Sequence, residues 1–203
     1  MRAFHRPVHR PGDVIESWRG DGDPATASRV AHDTAAALLH RVRASADPVT
    51  VERVISYADE HGIDDVVELW ADAQPDTLPG ALWRLYLLRH LVREDPQRIA
   101  YAFGRGVALD QVNQAVAGAP DAPSPDEVVD LATRILRGAF TGDFAVALER
   151  AGAFCRIMAA GSADLATDDG DRSARHRAAA TAFTEAAQEL TAEARLWRRG
   201  ELH

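Results

Sequence analysis

PGALWRLYLLRHLVRED, residues 79–95, decides how this chain is read. On a 100° per residue wheel, Leu82, Trp83, Leu85, Tyr86, Leu87, Leu88, Leu91 and Val92 point nearly all round, so the stretch predicts a core helix covered by other helices on several sides. Only Arg89 and Arg93 share a sector that could meet water. Arg84 falls instead among Leu87, Leu88 and Leu91, where a desolvated guanidinium needs a carboxylate or several carbonyls. The expectation is an ion pair with an acid from another helix. The functional alternative is an anion-accepting pocket, which makes Arg84 the candidate ligand-binding residue.

Working outward, an acidic or hydroxyl cap followed by proline recurs. Asp23-Pro24, Asp47-Pro48 and Asp95-Pro96 each place a capping side chain before a proline at the first helical position. Ser124-Pro125-Asp126-Glu127 has the form of a capping box. Apolar residues then recur at helical spacing: Val30, Ala31, Thr34, Leu38 and Val42 after the first cap, and Val51, Val54, Ile55 and Ala58 after the second. A short helix is expected from Asp64 to Ala73. Ile99, Ala100 and Phe103 mark one that ends at Gly104 and Gly106, and a modest helix covers Asp110 to Ala117. Val128, Leu131, Ala132, Ile135 and Leu136 form the inner face after the capping box, and Phe140, Phe144, Leu148, Ala151, Phe154, Cys155 and Met158 form the next broad stripe, to about Ala160. Residues 161–171, GSADLATDDGD, read as an acidic loop before a long alanine-rich helix to Arg199. No stretch alternates as a half-buried strand does. The reading is all-α, one domain of about eight or nine helices over 23–203, behind a basic arm and short turn at 1–22. If the domain divides, the boundary is the proline-rich connector 118–125.

Composition narrows the function classes. The 203 residues carry a net charge of −8, which repels phosphate backbones and argues against nucleic acid as a partner. All 23 basic residues are arginine, which reads as coding bias. One cysteine, Cys155, excludes an internal disulfide and a thiolate-rich metal site and fits a reducing compartment. With no long apolar run, a membrane is not expected as a partner and a cytoplasmic location is.

No catalytic or cofactor motif stands out. His32-Asp33 invites comparison with hydrolases that hold a divalent ion on such a pair, but the upstream histidines, His5 and His9, lie in an arm broken by Pro7, so we read the pair as a solvated helix face. Asp164, Asp168, Asp169 and Asp171 concentrate hard oxygen ligands without the spacing or the glutamate of a calcium loop. Cys155 sits among apolar neighbours that disfavour thiolate. The expectation is therefore no catalytic residue, no metal and no cofactor.

The last helix carries the interface candidates. His176, Phe183, Leu190 and Trp197 recur every seven residues beside an alanine seam, and the predicted helix is longer than the others, so Phe183, Leu190 and Trp197 are candidate homodimer contacts. Residues 75–89, PDTLPGALWRLYLLR, and 138–161, GAFTGDFAVALERAGAFCRIMAAG, resemble segments of a small, uncharacterised all-helical actinobacterial family. That resemblance covers these two stretches and implies no chemistry. The functional expectation is a protein-interaction or accessory factor with an unidentified protein partner, and the alternative is a small-molecule-binding protein or enzyme with an anion-accepting pocket near Arg84.

Overall fold

The computed structural model describes residues 24–45, 47–61, 70, 72–168, 170 and 172–203. Among these residues there are eight helices and no strand: α1 (Pro24–Ser45), α2 (Pro48–His61), α3 (Leu78–Glu94), α4 (Pro96–Val107), α5 (Gln111–Ala117), α6 (Pro125–Thr141), α7 (Phe144–Asp168) and α8 (Ser173–Arg199). The all-α expectation of eight or nine helices is met. The basic arm and turn at 1–22, with His5 and His9, lie outside the described residues, as does the expected helix at 64–73 apart from Trp70 and the segment from Asp72 on.

The caps act locally, as the sequence implies. Asp47 accepts from the backbone N–H of Val49 and of Thr50, each at 3.1 Å, and from the Thr50 hydroxyl at 2.7 Å. Thr77, Asp95 and Asp110 each accept from a first-turn N–H of the helix that follows. Ser124 and Glu127 close the capping box in both directions, at 3.3 and 2.8 Å. Each of these satisfies donors that the first helical turn leaves without a partner.

Of the two arginines that the wheel turns toward water, Arg93 is exposed and Arg89 is not. Arg89 is buried, with Nε donating to the Thr133 hydroxyl at 3.3 Å, in the sector shared by Leu82, Leu85, Tyr86 and Val92 that packs toward the core. The sector of Arg84, Leu87 and Leu91 opens as well: Leu91 is 40% exposed, although Leu88 beside it is buried. A helix that is apolar all round gives the wheel no contrast, so a single arginine cannot say which sector faces out.

The helix at the centre is α7, which packs against α3, α4, α5, α6 and α8. Phe144, Leu148, Ala151, Phe154 and Ile157 on it are fully buried, and the Phe154 ring lies 4.6 Å from that of Phe103. It also runs further than the sequence indicates, since residues 161–168 are helix rather than acidic loop. Gly161 explains the error. A Cβ there would collide with the Ala102 carbonyl of α4, and one on Gly106 would collide with the Ile157 carbonyl of α7. These two glycines let α4 and α7 cross backbone to backbone, so Gly161 does not end α7, while α4 stops at Val107, one residue past Gly106. α8 returns antiparallel along α7: the Ser173 hydroxyl donates to the Ala166 carbonyl at 2.8 Å, and Gly152 lies beneath Ala187, Leu190 and Thr191. Helices on both sides of the connector 118–125 belong to one buried cluster running from Ala31 to Leu202.

Candidate ligand cleft

Between α3, α4 and α8, with α7 as its floor, lies a cleft of about 1100 Å³. Leu87, Leu88 and Leu91 of α3 form one wall, continued by Ile99, Tyr101 and Ala102 of α4. Ala179, Ala182, Phe183, Ala186 and Leu190 of α8 form the other. Cys155, Met158, Ser162 and Leu165 of α7 lie beneath. The α8 wall exists because alanines recur at helical spacing, leaving α8 close to α7 yet without side chains large enough to reach α3 and fill the gap. From Arg175 to Leu190 the helix rises about 22 Å, which sets the length of the cleft.

The two ends differ in charge. At the Leu190 end, Arg84 donates from Nε to Glu189 Oε2 at 2.5 Å and from Nη1 to Glu193 Oε1 at 3.0 Å. Glu193 has no exposed surface and its Oε2 is buried without a hydrogen-bond partner. Burial pushes the Glu193 carboxyl up to about 7; Arg84 opposes that shift, and the Glu189 and Asp76 carboxylates reinforce it. Gly80 lies beside this cluster, where a Cβ would collide with the Gln74 carbonyl at 2.5 Å and stand 3.1 Å from Arg84 Nη1. The expected ion pair of Arg84 is present, and two acids hold the guanidinium. At the opposite end the cleft is lined by Arg98, Arg172, Arg175 and His176. Asp95 lies among them, bonded to Arg98 Nε at 2.8 Å, and its carboxyl is held below the usual range by its Arg98 hydrogen bonds, with Arg175 adding a smaller attraction.

The other candidates fall elsewhere. His32 is half-buried on α1, its Nδ1 2.7 Å from the Ser28 carbonyl, and Asp33 is exposed. Asp164 pairs with Arg105 across the α4–α7 crossing, while Asp169 and Asp171 lie outside the described residues. No group of three or more His, Cys, Asp or Glu side chains that could hold a metal is found among the described residues. Cys155 is buried on the cleft floor, and burial pushes its thiol up to about 12. No described helix is long and apolar enough to cross a membrane.

Of the seven-residue row on α8, Leu190 is buried within its own chain. Trp197 packs edge-on against Phe144 at 4.8 Å, beneath Arg43, whose guanidinium carbon is 5.7 Å from the indole and whose nitrogens donate to the Ala139 and Gly142 carbonyls. Phe183 and Leu190 both line the cleft, Phe183 being the less buried of the two. The excess length expected of the last helix is small, since α7, at 25 residues, nearly matches the 27 of α8.

Comparison with protein-family models, with curated proteins and with solved structures finds no match to this chain. The resemblance of residues 75–89 and 138–161 to an actinobacterial family gains no support from it.

What sequence reasoning missed is the cleft itself and its basic end. The available signal was the set of small residues Ala179, Ala182 and Ala186 on one face of α8 opposite Leu87 and Leu91 on α3, but nothing in the chain says that these two faces meet.

Proposed function

We propose that the protein binds an elongated, largely apolar small molecule in the cleft between α3, α4, α7 and α8. The observation that supports this is a cleft of about 1100 Å³ walled by leucine, phenylalanine and alanine, which is of the size and character of ligand pockets. Leaving such a surface in water is unfavourable by roughly 25 cal/mol per Å² of apolar area, so an apolar occupant is stabilised there. This reading shifts the expected pocket near Arg84 rather than abandoning it: Arg84 borders the cleft, but Glu189 and Glu193 already hold it.

Nile red, a neutral dye whose emission rises in apolar surroundings, tests the cleft without regard to charge. The full chain should enhance its emission saturably. An Ala186→Trp variant, whose indole would project into the cleft, should fold as wild type and lose the enhancement. Equal enhancement by the two proteins rejects the cleft as the site.

A second reading, an interaction or accessory factor, has its own observation. Leu109, Val112 and Val116 are exposed around α5, Val112 at 76%, and Tyr101 lies beside Leu109 at 61%. Such a row fits a protein contact. Sedimentation velocity of a Val112→Asp, Val116→Asp variant checks it: conversion of an associated wild type to a folded monomer supports the reading, and a wild type that stays monomeric at high concentration removes self-association as its explanation.

A further inference from the structure

The floor of the cleft holds a polar side chain that the fold leaves unused. Ser162 of α7 is 3% exposed and lines the cleft between Met158 and Leu165. A helical hydroxyl commonly donates to the carbonyl one turn back, as Thr34, Thr141, Thr181, Thr184 and Thr191 do here. Ser162 makes no such bond, and its hydroxyl has no partner among the described residues. The helices across from it supply none. The antiparallel register, with Ser173 against Ala166 and Gly152 beneath Ala187, brings Ala179 of α8 to its level, and Gly161 beside it lies against the Ala102 backbone of α4. Glu193 Oε2 is the only fully covered side-chain oxygen or nitrogen without a partner among the described residues, so the Ser162 oxygen is not sealed: what remains of its surface faces the cleft.

We propose that the ligand of this cleft carries one neutral oxygen, a ketone or a hydroxyl, on an otherwise apolar body, and that this oxygen bonds to Ser162. The inference rests on the ligand-binding role proposed above and narrows it. A serine hydroxyl offers one donor and two acceptor sites and carries no charge, so it fits a ketone as donor and an alcohol as donor or acceptor. An unpaired hydroxyl in an apolar wall is unfavourable, and a ligand oxygen that satisfies it is therefore selected over a hydrocarbon of the same shape. By helix rise Ser162 stands about 10 Å from Cys155, the other polar point of the floor. Met158 lies between them, so the part of the ligand that spans this distance is apolar.

Fluorene, fluoren-9-one and fluoren-9-ol share one tricyclic outline and differ at a single carbon, so displacement of Nile red from the full chain by the three isolates the oxygen. Ser162→Ala should raise the concentrations of the ketone and the alcohol needed for displacement, relative to fluorene, by about three- to tenfold, the worth of one neutral hydrogen bond. Taking the ratio to fluorene within each protein cancels any change in affinity for the dye. Cys155→Ala, two turns away on the same floor, should leave the ratios as in wild type. Without ligand, Ser162→Ala should unfold at the wild-type temperature or above, because removing an unpaired hydroxyl orphans no other group and alanine favours the helix. Ratios unchanged by Ser162→Ala refute the proposal while the cleft stands. A lower unfolding temperature refutes it too, since the hydroxyl would then have a partner in the fold. A shift in the ratios from Cys155→Ala in place of Ser162→Ala moves the oxygen away from Ser162 and overturns the assignment. Fluorene-9-carboxylate displacing the dye at lower concentration than the ketone would make the group anionic and overturn its neutrality. If Nile red does not bind the wild type, the cleft reading and the proposal fall together.

Discussion

Replacing Glu193 by glutamine removes a titratable group from the most buried polar position among the described residues. The carboxyl stands at about 7 against an ordinary value of 4.5, chiefly because burial disfavours its charged form. A carboxyl raised on folding is released first by the unfolded chain, so as pH rises the unfolded state gains. The Glu193 contribution is therefore most favourable below about 4.5, declines between 4.5 and 7, and levels off above that. At 1.36 kcal/mol per unit the full swing is about 3 kcal/mol, of which roughly 2 to 3 falls between pH 5 and pH 8. Glutamine keeps an oxygen for Arg84 Nη1 and has no charge to desolvate, so this swing should vanish in the variant. Urea denaturation followed by circular dichroism, extrapolated to water at both pH values, measures it. Relative to wild type, the variant should gain roughly 2 to 3 kcal/mol on going from pH 5 to pH 8. Comparing one variant at two pH values cancels any fixed difference in packing. An unchanged difference between the proteins at the two pH values would refute the assigned burial and titration of Glu193.

The remaining expectations concern the same cluster and the helix crossing. Arg84→Met leaves the Glu189 and Glu193 carboxylates without their cation, so it should destabilise by roughly 3 kcal/mol or more at pH 8 and by less at pH 5, where Glu193 is protonated; equal losses at both values would contradict the cluster. Gly161→Ala should lower stability by at least about 1 to 3 kcal/mol because its Cβ collides with the Ala102 backbone. Gly104→Ala, in open space within α4, should instead raise it by roughly 0.5 to 1 kcal/mol. Thermal unfolding of the two alanine variants side by side checks the sign of each.

Much of the fold is legible in the chain because caps and periodicity act locally. Asp47, Asp95 and Ser124 mark helix starts correctly, and Val128, Leu131, Ala132, Ile135 and Leu136 are all buried as their spacing implies. The errors arise where tertiary packing overrides local preference. Gly161 reads as a terminator, yet it sits inside a helix because two backbones meet there. Arg84 is legible as a residue needing an acid, and Glu189 and Glu193 supply it from a helix more than 100 positions away. The heptad row on α8 is real as spacing, but spacing cannot distinguish a partner helix in another chain from α7 in its own. Leu190 and Trp197 pack inside the chain, and Phe183 lines a cleft that no local pattern encodes.

The claim that this cleft is a ligand site is tested most directly by a crystal structure of the full chain grown with Nile red. The account predicts electron density for the dye between Leu91 and Phe183. An empty cleft, or dye bound only elsewhere on the molecule, would contradict it.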